Sequence, residues 1–187
     1  YVDRNGDGVV DDNDRDIIGN PNPDFTYGFQ TKVSWKSLSL SASFNGVQGR
    51  DILNVGNRYN NTPGTKSNNV TRKAFQNMWT DENPSNLYPK STFVVQNMVM
   101  DRYVEDGSYL RCSDITLSYV LPAKWTNKIG IKNTSVYASV KNAFVITDYS
   151  GYDPEVNSFA FDGLRPGVDM NSYPTPRSFV FGLNLTF

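Results

Sequence analysis

Asp3-Arg4-Asn5-Gly6-Asp7-Gly8-Val9-Val10-Asp11-Asp12-Asn13-Asp14 has the spacing of a twelve-residue calcium loop. The six ligand positions fall on Asp3, Asn5, Asp7, the Val9 carbonyl, Asp11 and Asp14, and Gly8 occupies the turn position. Calcium is a hard cation that takes six to eight oxygens, and this spacing wraps them around one point. The last position carries aspartate rather than the longer glutamate, which shortens the reach for bidentate closure. No amphipathic helix precedes the loop, so the expectation is a structural Ca2+ and not a helix-loop-helix sensor. The bland reading of the same residues is a solvated acidic turn held by Asx hydrogen bonds.

Little else in the chain points to catalysis. There is no histidine, which removes histidine acid/base chemistry and histidine metal ligation. The single cysteine, Cys112, can form no intrachain disulfide and has no histidine partner to activate it. Asp153 and Glu155 could be drawn as a glycosidase pair, but any acidic surface loop offers such pairs. The reading is therefore that the chain is not an enzyme. Trp79, Tyr103, Tyr149 and Tyr152 fall in loop sequence, where aromatic faces could stack on sugars or peptides, or pack the loops themselves. A formal charge of −1 gives no electrostatic reason to expect nucleic acid.

The elements that must carry these residues read as strands. Residues 177–187 alternate, with Phe179, Phe181, Leu183, Leu185 and Phe187 on one face and Ser178, Gly182, Asn184 and Thr186 on the other. Val180 is the exception. Phe25, Tyr27, Phe29, Val33 and Trp35 alternate in the same way, as do Leu38, Leu40, Ala42 and Phe44. Only Lys36-Ser37 separates those two runs, so Trp35 and Leu38 should pair directly across a two-residue hairpin, on the apolar face. A third strand is expected over residues 108–121 and a fourth around Val136, Ala138 and Val140. Residues 46–107 and 147–176 read as long polar connections, with a short helix possible over 71–79.

The loop lengths alternate short, long, modest, long. Outer-membrane barrels have short periplasmic turns and longer extracellular loops, with strands apolar toward lipid and polar toward the lumen. The expected fold is therefore all-β: about five C-terminal strands of a large antiparallel transmembrane β-barrel. The acidic loop (1–23) and the loops 46–107 and 147–176 would lie outside. A barrel must close on itself in lipid, and a piece this short is expected to need the rest of the same barrel. The opening at Tyr1, without a signal segment, reads as part of a longer secreted precursor. The alternative is a soluble, calcium-stabilised extracellular β-domain that binds glycans.

Several strings together resemble SusC/RagA-like TonB-dependent transporters of Bacteroidetes. They are Asp3-Arg4-Asn5-Gly6-Asp7-Gly8, Ile18-Gly19-Asn20-Pro21, Tyr27-Gly28-Phe29 and Glu105-Asp106-Gly107-Ser108-Tyr109-Leu110-Arg111. Thr116-Leu117-Ser118-Tyr119, Leu121-Pro122, Lys141-Asn142-Ala143-Phe144 and Tyr149-Ser150-Gly151-Tyr152-Asp153-Pro154-Glu155 continue the match. Tyr173-Pro174 and Gly182-Leu183-Asn184-Leu185-Thr186-Phe187 complete it. The resemblance implies the last strands of a plugged outer-membrane barrel of about 22 strands. It also implies import of oligosaccharides or oligopeptides energised through TonB, with a SusD-like surface lipoprotein as lid. Phe187 resembles the terminal aromatic signal read by the barrel-insertion machinery. The plug and the TonB box are not in this chain. Cys112 and Ala143 stand where the family more often has other residues.

Overall fold

Strand β1 (Phe25–Trp35) reverses through Lys36 and Ser37 into β2 (Leu38–Gln48). Trp35 faces Leu38, Val33 faces Leu40 and Phe29 faces Phe44, which is the register the hairpin sequence predicts. Lys36 takes a positive φ of 54° to close the tight turn. The structure is a computed structural model that describes residues 2–62, 69–91, 99–126, 131, 133–155, 158–159 and 161–186. The chain continues through β3 (Asp51–Asn54), α1 (Val55–Asn61), α2 (Arg72–Asn77), β4 (Val104–Asp106) and β5 (Tyr109–Val120). After α3 (Ala123–Thr126) come β6 (Asn133–Thr147), β7 (Val168–Asp169) and β8 (Ser178–Thr186).

Five strands form one antiparallel sheet in the order β1-β2-β5-β6-β8. Paired residues in adjacent strands point to the same face, so the register lets each row be followed across the sheet. Val33, Leu40, Leu117, Ala138 and Phe181 make one continuous row, and Trp35, Leu38, Tyr119, Val136 and Leu183 make the next. Both rows are apolar or aromatic, and Val33, Trp35, Leu117, Phe181 and Leu183 are all exposed. The opposite face carries Lys32, Ser41, Thr116 and Ser139, and beside them Ser34, Ser39 and Ser118.

The two faces thus invert the arrangement of a water-soluble domain. The apolar face is uncovered, while buried Arg111, Ser139, Asp153 and Asp169 lie among the polar groups. Charged side chains are almost never buried unless paired, and the partners are described below. On the polar face Asp114 accepts from Thr116 Oγ1 at 2.8 Å and Ser139 Oγ at 2.7 Å, and pairs with Lys141 Nζ at 2.7 Å. On that face too the Tyr137 ring covers Gly182, where an added Cβ would come within 2.2 Å of it. Gly182 is therefore the space that the tyrosine fills.

Two irregularities re-aim β5 and β6. The β2–β5 register slips between Ser43 and Phe44, and the β5–β6 register slips between Cys112 and Asp114. A β-bulge adds an unpaired residue and turns later side chains to the other face. Leu117 and Ile115 are apolar-face residues at odd positions, but beyond the bulge Cys112 and Leu110 take over at even ones. Cys112 faces Phe44 and Phe144, whose rings meet edge-on at 6.3 Å, and it is fully buried between them.

The connections sort by end. The Lys36-Ser37 turn and the segment after β5 lie at one end of the sheet, and the long connections gather at the other. The region 46–107, expected as a loop, carries regular elements among its described residues. Strand β2 runs on to Gln48, and β3 pairs with β4 antiparallel and with β7 parallel in a second, three-stranded sheet. The short helix expected over 71–79 is α2, capped by Thr71 Oγ1 accepting from the Ala74 amide. The fourth strand is much longer than its clearest alternation, because it continues past Asn142, at φ 51°, to Thr147.

Candidate functional site

Two strings far apart in sequence meet at the loop end of the sheet. Arg111, on the polar face of β5, places Nη2 2.5 Å from Asp153 Oδ1 and Nε 2.8 Å from Glu155 Oε2. The side chains of Arg111 and Asp153 are only 6% and 3% exposed. Tyr109 donates its hydroxyl to Glu155 Oε1 at 2.6 Å, and Asn45 Nδ2 donates to the same oxygen at 3.2 Å. Asp153 also accepts from the Glu155 amide at 2.9 Å and the Thr175 amide at 2.9 Å. Burial alone would raise the Asp153 pKa, but those two amides and Arg111 outweigh it and hold the carboxyl below its usual range. The pair that could be drawn for glycoside hydrolysis is thus an anchor held by Arg111. It fastens Asp153, Glu155 and Thr175, which follow β6 in the chain, to the polar face of the sheet.

A second hub lies beside it. Glu105 Oε1 accepts from Asn54 Nδ2 at 3.0 Å, Asn57 Nδ2 at 2.9 Å and Ser150 Oγ at 2.9 Å, while Oε2 takes the Ser150 amide at 2.9 Å. Tyr149 donates to Asp169 Oδ2 at 2.7 Å, and burial together with that acceptor pushes the phenol pKa up, so it remains a donor. These bonds tie β3, α1, β4 and β7 to the segment leaving β6. Above them opens a polar cleft of about 200 Å³, with Asn60, Tyr152, Asp169 and Asn171 in its lining.

The four aromatic candidates separate by burial. Tyr103 and Tyr149 are buried at 3% and 5%, with the Tyr103 hydroxyl 3.2 Å from Thr62 Oγ1. Tyr152, at 75% exposed, borders the cleft. Trp79 lies elsewhere; its amide donates to the Tyr88 carbonyl and Lys90 Nζ sits 5.0 Å from its ring. Phe187 falls outside the described residues.

The acidic loop is ordered by its own amides. Asp3 accepts from Gly6 at 2.7 Å and Gly8 at 2.8 Å, Asn5 from Asp7 at 2.9 Å, Asp7 from Val9 at 2.8 Å and Asp11 from Asn13 at 2.7 Å. Asp14 closes the ring by accepting from Arg4 at 2.7 Å and Asp11 at 2.8 Å. The amides of Asp11 and Arg4 hold its carboxyl below the usual range. Each such bond occupies one lone pair of a carboxylate that has about four acceptor sites. Among the described residues, no three His, Cys, Asp or Glu side chains converge as a closed cation shell. The donor set suits a hard cation in type and spacing, and its carboxylates remain spread.

Sequence reasoning set Asp153 and Glu155 aside as an accidental pair and did not single out Arg111, Glu105, Asn54 or Asn57. The available signal was that both halves of the network lie in resemblance strings, residues 105–111 and 149–155.

Comparison with known proteins matches this chain along its full length. It is 34% identical over 195 residues to the TonB-dependent receptor P26 of Formosa agariphila, covering all of this chain and 19% of that protein. It is equally 34% identical over 194 residues to the TonB-dependent receptor SusC of Bacteroides thetaiotaomicron, covering all of this chain and 17% of SusC. No family model matches. The fold superposes on the RagAB peptide importer in its open-open state with a TM-score of 0.76 and 30% identity, over 91% of this chain and 18% of that one. By sequence and by fold the chain belongs to the SusC/RagA-like TonB-dependent receptors, and it spans about a fifth of the length of those relatives.

Proposed function

We propose that this chain is the C-terminal wall and outer-loop segment of an outer-membrane transporter that imports oligosaccharides or oligopeptides, energised through TonB. The observation that carries this reading is the inverted sheet, with continuous apolar rows exposed and paired charges buried on the other side. Lipid stabilises such a face and water does not. In this reading β1 to β8 contribute wall, lumen surface and outer loops, and they perform no chemistry. The outer edges of β1 and β8 pair with other strands of the same barrel, Phe187 serves as the insertion signal, and a SusD-like lipoprotein covers the loop end.

The full-length receptor is expected to fractionate with outer membranes, to need detergent once extracted, and to bring a SusD-like lipoprotein with it on purification. A receptor recovered soluble without detergent would support the glycan-binding soluble domain instead.

We further infer that the acidic loop holds a structural calcium ion outside the cell. Supporting this are the spacing of Asp3, Asn5, Asp7, Asp11 and Asp14 and the closure of the loop by Asp14. Extracellular calcium modules bind at about 10⁻⁴–10⁻³ M, so chelator should empty the site and millimolar calcium refill it. Without the ion, repulsion among four carboxylates should loosen the loop. Asp7→Ala, or chelation, is expected to increase protease cleavage within residues 1–23 on intact cells while the strands stay protected. Cleavage that is the same with calcium, with chelator and in Asp7→Ala would reject the ion. Cleavage only after cell lysis would reject the topology.

A further inference from the structure

We propose that the turn end of the sheet is a docking surface for anionic phospholipid headgroups, with Lys36 and Lys124 supplying the charges that meet the phosphate. This rests on the transport reading, in which that end meets the leaflet opposite the long loops.

The charges of the chain are sorted along the strands. All 19 Asp and Glu fall within residues 1–24, 51–114 and 148–169, and residues 25–50, 115–147 and 170–187 hold none. The Val120 amide donates to the Ser37 carbonyl at 2.8 Å, which brings the β1–β2 turn beside the end of β5. Helix α3 begins soon after, at Ala123. Lys36 and Lys124 therefore stand on neighbouring connections at one end of the sheet. No carboxylate belongs to β1, to β2 or to β5 beyond Asp114, and Asp114 is engaged by Lys141 Nζ at 2.7 Å. The turn end is cationic.

Aromatic rings set the depth of these charges. Trp35 is 68% exposed, in the last apolar row before the turn. Lys36 Nζ lies 4.7 Å from the centre of that ring, so its ammonium sits on the apolar side of the turn and not over the polar face. Trp125 follows Lys124 directly and is also exposed. Tryptophan concentrates at the boundary between hydrocarbon and headgroups, where one end of the ring is apolar and the N–H is wet. A lysine beside such a ring keeps its stem in the apolar layer and its charge at headgroup level.

Charge then selects the lipid. A zwitterionic headgroup carries its own cation beside the phosphate, whereas an anionic headgroup keeps a net negative charge for the lysines. Near an anionic surface each lysine supplies about a fivefold gain in affinity. An acidic protein would meet the same lysines, but it would have no use for the exposed tryptophans that flank them.

The test uses the full-length receptor in vesicles of brominated phosphatidylcholine, whose two leaflets are alike, so orientation does not matter. A dansyl group on Leu38→Cys, in a Cys112→Ala background, reports the turn end. The same group on Phe25→Cys, at the other end of β1, is the control. Bromine quenches the label, and an unbrominated lipid that takes its place restores emission. Dioleoylphosphatidylglycerol should outcompete dioleoylphosphatidylcholine at Leu38 by at least about fivefold, and the two should compete equally at Phe25. Lys36→Asn with Lys124→Gln should remove the preference, since asparagine tolerates the left-handed backbone of the turn. Lys36→Arg with Lys124→Arg should keep it. Salt at about 1 M should remove it from the parent, where no side chain has been changed. Equal competition by the two lipids at Leu38 in the parent, or a preference kept by the neutral variant or in high salt, would overturn the proposal. So would a Leu38 label that brominated lipid leaves unquenched, the result expected if the turn end faces water or a protein. The transport reading fails separately, on a receptor recovered soluble without detergent.

Discussion

Leu183→Arg in the full-length receptor should lower its stability by about 2–4 kcal/mol if the residue lies at the bilayer midplane, while the adjacent Asn184→Arg should cost far less. Leu183 sits near the middle of β8 in the row Trp35, Leu38, Tyr119, Val136, Leu183. Its side chain is exposed, so in lipid an arginine there puts a charge into hydrocarbon. Asn184 points to the other face, where its Nδ2 lies 3.4 Å from Ser135 Oγ. A longer cationic side chain can extend into the lumen from that position. Folding titrations into lipid vesicles measure both. Equal losses for the two variants would contradict the assignment of faces.

Arg111→Met should be the most damaging single change at the loop end. It leaves Asp153, and with it Glu155, without their cation in a site where the Asp153 side chain is 3% exposed. Breaking a buried ion pair by removing one partner typically costs about 3–5 kcal/mol, because the remaining charge is uncompensated. The variant should reach the outer membrane with residues 149–176 open to protease. Adding Asp153→Leu and Glu155→Gln should restore most of the protection. If Arg111→Met leaves the loop as resistant as the parent, the anchor is not what holds it.

The same anchor sets an acid limit. The Asp153 carboxyl has a folded pKa below its ordinary value of 3.8, so its contribution is fully present above that value and is lost as pH falls through the folded one. Pepsin should therefore cut the 149–176 connection well below pH 3.8 and spare it at pH 3.8 and above.

The legible parts of this fold are those where one face repeats without interruption. β1, β2 and β8 alternate along their length, and the Trp35–Leu38 pairing followed from the two-residue turn alone. β5 was legible only over its second half. The bulge near Ser113 moves the apolar set from even to odd positions, so a single alternation cannot be read from Tyr109 to Val120. The loop cluster was the least legible. Asn54, Glu105 and Ser150 are partners across 51 and 45 residues of chain, and polar loop residues carry no periodicity that announces such pairing. The same holds for Arg111 and Asp153, 42 residues apart. The aromatics of 46–107 and 147–176 were visible as types, but burial divided them. Tyr103 and Tyr149 became core, while Tyr152 remained exposed.

The central claim is that one face of this sheet meets lipid along all five strands, through the change of phase in β5. Nitroxide labels on single cysteines of the full-length receptor in vesicles test it most directly. In a Cys112→Ala background, labels at Leu110, Leu117, Phe181 and Leu183 would be compared with labels at Ser118 and Asn184. Collision with oxygen, which concentrates in lipid, should be high for the first four and low for the other two, and collision with a water-soluble nickel chelate should show the reverse. Leu110 and Leu117 differ in parity, yet the bulge puts both on the lipid side. If Leu110 instead behaves like Ser118, or if all six labels collide freely with the nickel chelate, the face described here does not line a membrane.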